Sequence, residues 1–263
     1  MRAQPGTVAG RVRCARTASL SLALCAALAL AAAPAQAAVP PPPPSAQAGA
    51  QTALLHISDL RGVSHWAYPT YEAPVRAKPS AHAHALGALR LLTVDGQAAL
   101  YVALDSERLA SGTTWIRVEL PGRPNGRTGW VPRGALGSLH AVGEHLRVDK
   151  GSLRVTLLRG SQELLSAPIG VGKASTVTPS GRFYVMEKLT TFGAPLYGPY
   201  ALGTSAYAPT LSEWPGGGVV GIHGTNEPQL IPGRPSHGCI RMRNADITRL
   251  WRIVGLGTPI EIV

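Results

Sequence analysis

Glycine and proline punctuate this chain so densely that long helices have little room in it. Of its 263 residues, 30 are Gly and 23 are Pro, about a fifth of the chain against a usual share of roughly 12%. Glycine adds backbone freedom and proline removes a helical hydrogen bond. The excess therefore disfavours a helical bundle and favours short strands joined by many turns. A hydrophobic share of 45% with only 15% charged residues excludes a wholly disordered chain. The length accommodates one large domain or two modest ones, each with a real core.

Residues 1–37 read as an export signal rather than as fold. Arg2, Arg11, Arg13 and Arg16 make a basic start without an acid, an apolar run covers residues 18–33, and Ala35-Gln36-Ala37 is a small-x-small cleavage site. The run is short for a membrane span, which takes about 20 apolar residues. The alternative is a retained N-terminal anchor. Lipidation at Cys25 is disfavoured because Leu24 stands where a small residue is expected. Cleavage after Ala37 removes four arginines and lowers the net charge from +11 to +7. It also removes Cys14 and Cys25, leaving Cys239 alone. A lone thiol in an oxidising compartment has no internal disulfide partner. It is either a reactive group or a buried, inert one.

Residues 38–71 read as a Pro/Ala-rich tether and linker, with five consecutive prolines at 40–44 favouring an extended spacer. His56, His65, His82 and His84 lack a metal-binding spacing and are expected on the surface. Residues 72–139 alternate short apolar runs with turns. The clearest strand is Trp115-Ile116-Arg117-Val118-Glu119-Leu120, whose residues alternate as in a half-buried strand, followed by a turn dense in Gly, Pro and Asn at 121–127. Residues 142–263 form a second, mostly β unit. Leu146 and Val148, then Leu153, Val155 and Leu157, mark two strands. One helix is predicted near the end: Asn244 as N-cap, Asp246 in the first turn, and Ile247, Leu250, Trp251 and Val254 on one face.

The chemistry concentrates at Gly221-Ile222-His223-Gly224-Thr225-Asn226 and Ser236-His237-Gly238-Cys239-Ile240-Arg241-Met242. A cysteine nucleophile needs a base or cation nearby, because a free thiol pKa of about 8.5 leaves little thiolate at neutral pH. It also needs donors for the oxyanion formed on a carbonyl. Gly238 lets the backbone turn sharply beside Cys239. A zinc site built from His223, His237 and Cys239 is disfavoured, because no carboxylate lies at a familiar interval. A structural Cys239 with surface histidines is the remaining alternative. The residues alone leave both histidines open as the base. His237 is nearer in sequence, while His223 sits on a separate strand end that can face the cysteine.

The string H-G-T-N-E-P, the twelve residues between His223 and Ser236, and S-H-G-C-I-R-M together resemble the L,D-transpeptidase (YkuD-like) catalytic domain. V-G-K-A-S-T-V-T-P-S-G-R-F at 171–183 resembles that family's upstream segment. The W-I-R-V-E-L…G-W-V hairpin is similar to bacterial SH3-type domains attached to wall enzymes. The expected fold is thus mainly β: a small SH3-like barrel at 72–139, then a β-sandwich-like catalytic domain at 142–263 with one clear helix. The resemblance implies Cys239 as nucleophile and His223 as base, with the carbonyl of Gly224 orienting the imidazole. It further implies amides of Gly238 and Cys239 at the oxyanion, and Ser236, His237 and Arg241 on the substrate side. Arg241 stands where many members carry Asn.

The implied reaction is acyl transfer through a Cys239 thioester, joining peptidoglycan stem peptides by 3→3 cross-links. It uses no cofactor or metal, and the glycines form no nucleotide-binding pattern. The same nucleophile delivering to water would make an L,D-carboxypeptidase or another wall hydrolase. A non-catalytic wall-binding protein is the other alternative. The basic charge suits an acidic wall polymer, and export without a basic-aromatic cluster argues against nucleic acid. The expected state is a monomer in the cell wall, periplasm or medium, peripheral to the membrane at most.

Overall fold

The computed structural model describes residues 53–59, 61–191, 193–211 and 215–263. The expected signal segment and the Pro-rich part of the tether lie outside them. The described chain carries two β sheets and one helix.

The first sheet contains β1 (Ala53–His56), β2 (Ser64–Ala67), β3 (Pro74–Arg76), β4 (Ala85–Ala88), β5 (Tyr101–Arg108), β6 (Thr114–Leu120), β7 (Arg127–Pro132) and β8 (His140–Val142). Its order is β4-β3-β7-β6-β5-β2-β8, with β1 also pairing β5. Its strands curl around Val75, Leu89, Ala103, Ile116, Val118 and Val131, all buried. Strands β1 and β2 fall in the stretch read from sequence as linker. Each is only four residues long, so it places two side chains per face, too few to show a period of two.

Strand β6 departs from the expected alternation, because Trp115, Ile116, Val118, Glu119 and Leu120 are all buried. One face lies in the barrel core. On the other, Glu119 Oε1 accepts a hydrogen bond from Ser205 Oγ of the second unit, at 3.2 Å. A second sheet thus covers the face that a free-standing barrel would give to water. Leu100 and Val102 of the first unit pack with Tyr184 and Met186 of the second in a small shared core. The Tyr184 hydroxyl donates to Leu100 O at 3.2 Å.

The second sheet contains β9 (Glu144–Asp149), β10 (Arg154–Arg159), β11 (Gln162–Gly172), β12 (Gly181–Thr190), β13 (Tyr200–Tyr207), β14 (Val219–His223), β15 (Gly233–Ser236), β16 (Ile240–Met242) and β17 (Pro259–Ile262). The order is β10-β9-β17-β12-β13-β14-β16-β11-β15, and a further β10–β11 pairing joins the first strand of that path to the last but one. The alternating residues Leu146, Val148, Val155 and Leu157 point into its core with Ile169, Phe183, Ile222 and Ile240. Leu153 is not in a strand: it occupies the turn before β10 with φ +53°.

The mainly β fold with one helix agrees with the expectation from sequence, a small barrel preceding a sandwich-like domain. Helix α1 (Asn244–Ile253) buries Ile247 and Leu250. Its N-cap is Arg243 rather than Asn244. The Asn244 side chain is drawn away from the helix end to a backbone donor in the site loop.

Candidate active site

Two adjacent parallel strands bring the expected residues together. Strand β14 pairs with β16 in the register Ile222↔Ile240 and His223↔Arg241. Cys239 immediately precedes β16, and His223 closes β14. Cys239, His223, Ser236, His237, Gly238 and Arg241 line one pocket. Gly224 lies just behind it as a hydrogen-bond acceptor.

His223 is 4% exposed. Its Nδ1 lies 2.6 Å from Gly224 O, and a carbonyl can only accept, so Nδ1 carries the proton. Nε2 is then left as the acceptor nitrogen. The Tyr197 ring packs edge-on against the imidazole, with centroids 4.9 Å apart. Burial lowers the His223 pKa to about 4, against the Gly224 hydrogen bond that raises it, and the Arg241 charge lowers it further. Burial raises the Cys239 thiol pKa, while a backbone hydrogen bond from Gly221 and the Arg241 charge oppose that rise. The raised thiol pKa and the lowered imidazole pKa both favour the neutral pair, a thiol beside an uncharged imidazole, at neutral pH.

The loop carrying His223 is braced from the helix. Asn244 Oδ1 accepts from Thr225 N–H at 2.9 Å. A Cβ on Gly224 would collide with that oxygen and approach Gly198 Cα to 2.9 Å, so the position needs glycine. The sequence suggests a cap at Asn244 and gives no sign of this longer reach.

The turn before Cys239 is built by its own hydroxyl. Ser236 Oγ accepts from Gly238 N–H at 3.1 Å and donates to Cys239 O at 2.5 Å. Gly238 adopts φ +125°, a conformation that disfavours any side chain. Its N–H, expected from the resemblance at the oxyanion, is engaged by Ser236 Oγ in this structure. Thr178, outside the expected site set, fixes the same turn from below. Its hydroxyl accepts from Gly172 N–H at 2.9 Å and donates to Gly238 O at 2.8 Å. Thr178 falls within the 171–183 segment that resembles the family, but that string gives no sign of the contact.

Arg241 is held by Glu227, Nη1 to Oε2 at 2.8 Å. Its Nε is buried with no partner among the described residues. His237 lines the pocket on its exposed side, in contrast to buried His223. Among the described residues, no three His, Cys, Asp or Glu side chains gather as a metal site. No described helix is long and apolar enough to cross a membrane.

Comparison with known proteins matches residues 143–262 to the family model of the L,D-transpeptidase catalytic domain. "Putative L,D-transpeptidase YkuD" of Bacillus subtilis is 36% identical over 123 residues, covering 47% of this chain and 68% of that protein. "Probable L,D-transpeptidase YbiS" of Escherichia coli is 28% identical over 140 residues, covering 46% of this chain and 45% of that protein. The solved catalytic domain of the E. faecium L,D-transpeptidase is 25% identical with a TM-score of 0.37, covering 46% of this chain and 96% of that one. The chain thus spans two thirds of the first relative and about half of the second. Through residues 143–262, this chain belongs to the L,D-transpeptidase family.

Proposed function

We propose that this protein is an exported cysteine L,D-transpeptidase that joins peptidoglycan stem peptides by 3→3 cross-links. The observation that carries the reading is Cys239 and His223 on one pocket, the imidazole tautomer set by the Gly224 carbonyl. In the first half-reaction Cys239 Sγ attacks the carbonyl at the L-centre of the third stem residue. The thiol proton passes to His223 Nε2, and the carbonyl oxygen becomes an oxyanion. The Cys239 amide stabilises it, joined by Gly238 N–H once that donor exchanges Ser236 Oγ for the oxyanion. Collapse breaks the peptide bond, and the departing D-alanine amine takes the proton from His223. In the second half-reaction an acceptor amine attacks the thioester, gives its proton to His223, and the thiol is restored.

Several features support the substrate side of this reading. Arg241 keeps a buried Nε without a partner among the described residues, in a side chain that lines the pocket, which suits a carboxylate of the stem. The family relationship supports an acyl-transfer role for residues 142–263. The Arg-rich start, apolar run and Ala35-Gln36-Ala37 support export and cleavage. The small barrel is read as an SH3-like unit that engages the wall or serves as a spacer for the catalytic domain.

The test is incubation of the protein lacking residues 1–37 with purified tetrapeptide stems, followed by mass spectrometry of the products. Cross-linked dimer is expected. Shortened monomer alone establishes a hydrolase instead. No product, with no adduct on Cys239 from an acylating inhibitor, leaves a wall-binding protein.

A further inference from the structure

The turn between β6 and β7 of the barrel reaches into the wall of the active-site pocket. Arg123, at the tip of that turn, directs its guanidinium at main-chain carbonyls of the catalytic domain. Nε and Nη2 donate to Ala208 O at 3.0 and 2.7 Å, Nη2 also to Leu211 O at 3.0 Å, and Nη1 to Gly217 O at 2.9 Å. Its Cζ lies 5.2 Å from the centre of the Tyr207 ring. Asn125, two residues on, closes a reciprocal pair with Tyr207: Nδ2 donates to Tyr207 O at 2.8 Å, and Tyr207 N–H donates to Oδ1 at 2.9 Å.

The groups held this way belong to the pocket. Ala208, Leu211 and Gly218 line it with Cys239, and Ala208 N–H donates to Gly218 O at 2.8 Å. The Ala208 Cβ stands 3.5 Å from where a Cβ on Gly238 would be, beside the turn that presents the thiol. Gly218 has φ +81°, and a side chain there would collide with Leu211 O and reach Arg123 Nη2. One side of the pocket is therefore made of backbone whose carbonyls converge on a side chain from another domain. Converging carbonyl dipoles repel one another unless a cation lies among them, and a planar guanidinium offers several donors at fixed angles.

We propose that Arg123 is a positioning residue for substrate binding: the barrel sets the shape of one pocket wall by clamping Ala208, Leu211 and Gly217 through their carbonyls. This rests on the functional reading above for its substrate, and on geometry alone for its clamp. The barrel is then part of the working active site. Arg123 touches no reacting atom, so its loss acts on binding rather than on the chemical step.

The test compares the wild-type protein with Arg123→Ala and Arg123→Lys, reading steady-state kinetics on tetrapeptide stems and amide hydrogen exchange. In Arg123→Ala the KM for the donor stem is expected to rise at least fivefold, with kcat changed less than twofold. Exchange at Ala208 and Leu211 is expected to accelerate at least tenfold, with exchange in β14 and β16 unchanged. Arg123→Lys, which keeps the charge but loses the fork, is expected between the two. An unchanged KM overturns the proposal, as does acceleration spread evenly over β14 and β16, which would mark general destabilisation. If the wild-type protein does not turn over the stem, the functional reading fails, and the exchange measurement alone decides the clamp: local acceleration at Ala208 and Leu211 upholds it, and no change overturns it.

Discussion

Asn244 Oδ1 accepts the Thr225 N–H across nineteen positions of chain, tying the first turn of α1 to the loop that carries His223. Thr225 is 1% exposed, so its amide has no recourse to water. Asn244→Ala is expected to destabilise the protein by about 1–3 kcal/mol, the cost of an unsatisfied buried donor. It should also lower kcat by roughly 10-fold or more as the imidazole loses its fixed orientation. Asn244→Asp retains an acceptor and should keep most of both. Urea unfolding and initial rates check the pair.

His223 makes the protein sensitive to acid. Its folded pKa of about 4 lies below the ordinary 6.5, so the unfolded chain binds a proton that the folded one refuses. Stability from this group is complete above pH 6.5 and declines as pH falls towards 4, by about 3 kcal/mol in all. The difference in unfolding free energy between wild type and His223→Asn, followed from pH 7 to pH 4, should show this slope. The acid limb of kcat/KM should lie near pH 4 rather than near 6.5.

Glu119 acts in the opposite direction. Burial raises its pKa from 4.5 to about 7, against the Ser205 hydrogen bond that lowers it. Here the folded state holds the extra proton, so its contribution is complete below pH 4.5 and is lost as pH rises through 7. Glu119→Gln keeps the neutral form at every pH. Relative to wild type it should gain stability as pH rises from 4.5 to 8, by about 3 kcal/mol at the upper end. Thermal melts of both proteins across that range measure it.

Thr178 should matter to the reaction without entering it. Its hydroxyl joins Gly172 N–H to Gly238 O in a buried position. Thr178→Val keeps the shape but strands both groups, and is expected to cost about 1–3 kcal/mol and to slow acylation of Cys239. Thr178→Ser keeps the hydroxyl and should retain most of the rate. Stopped-flow acylation with an activated ester separates the two variants.

The parts of the site that were legible in the sequence are those whose chemistry is local. Cys239 stands out because it is the only cysteine beyond residue 37 and has His, Ser and Gly around it, and His223 because a family motif frames it. The helix was legible from Ile247, Leu250 and Val254 on one face. Arg123, Asn244 and Thr178 were not, because each acts by hydrogen bonds to main chain 85, 19 and 60 positions away. A carbonyl leaves no side-chain pattern to read. The use of Gly238 N–H by Ser236 was hidden although the two lie only two positions apart, because a backbone amide likewise leaves no side-chain pattern. Strand β6 looked like a half-exposed strand because its second covering sheet comes from a different part of the chain.

Intact-protein mass spectrometry tests the central claim most directly. The protein lacking residues 1–37 is mixed with a tetrapeptide stem, quenched in acid within the first turnovers, and mapped by peptide. The expected result is a mass increase equal to the tripeptide acyl group, confined to Cys239, removed by hydroxylamine and absent from Cys239→Ala. Product formation without that adduct, or full activity in Cys239→Ala, would contradict the thioester mechanism.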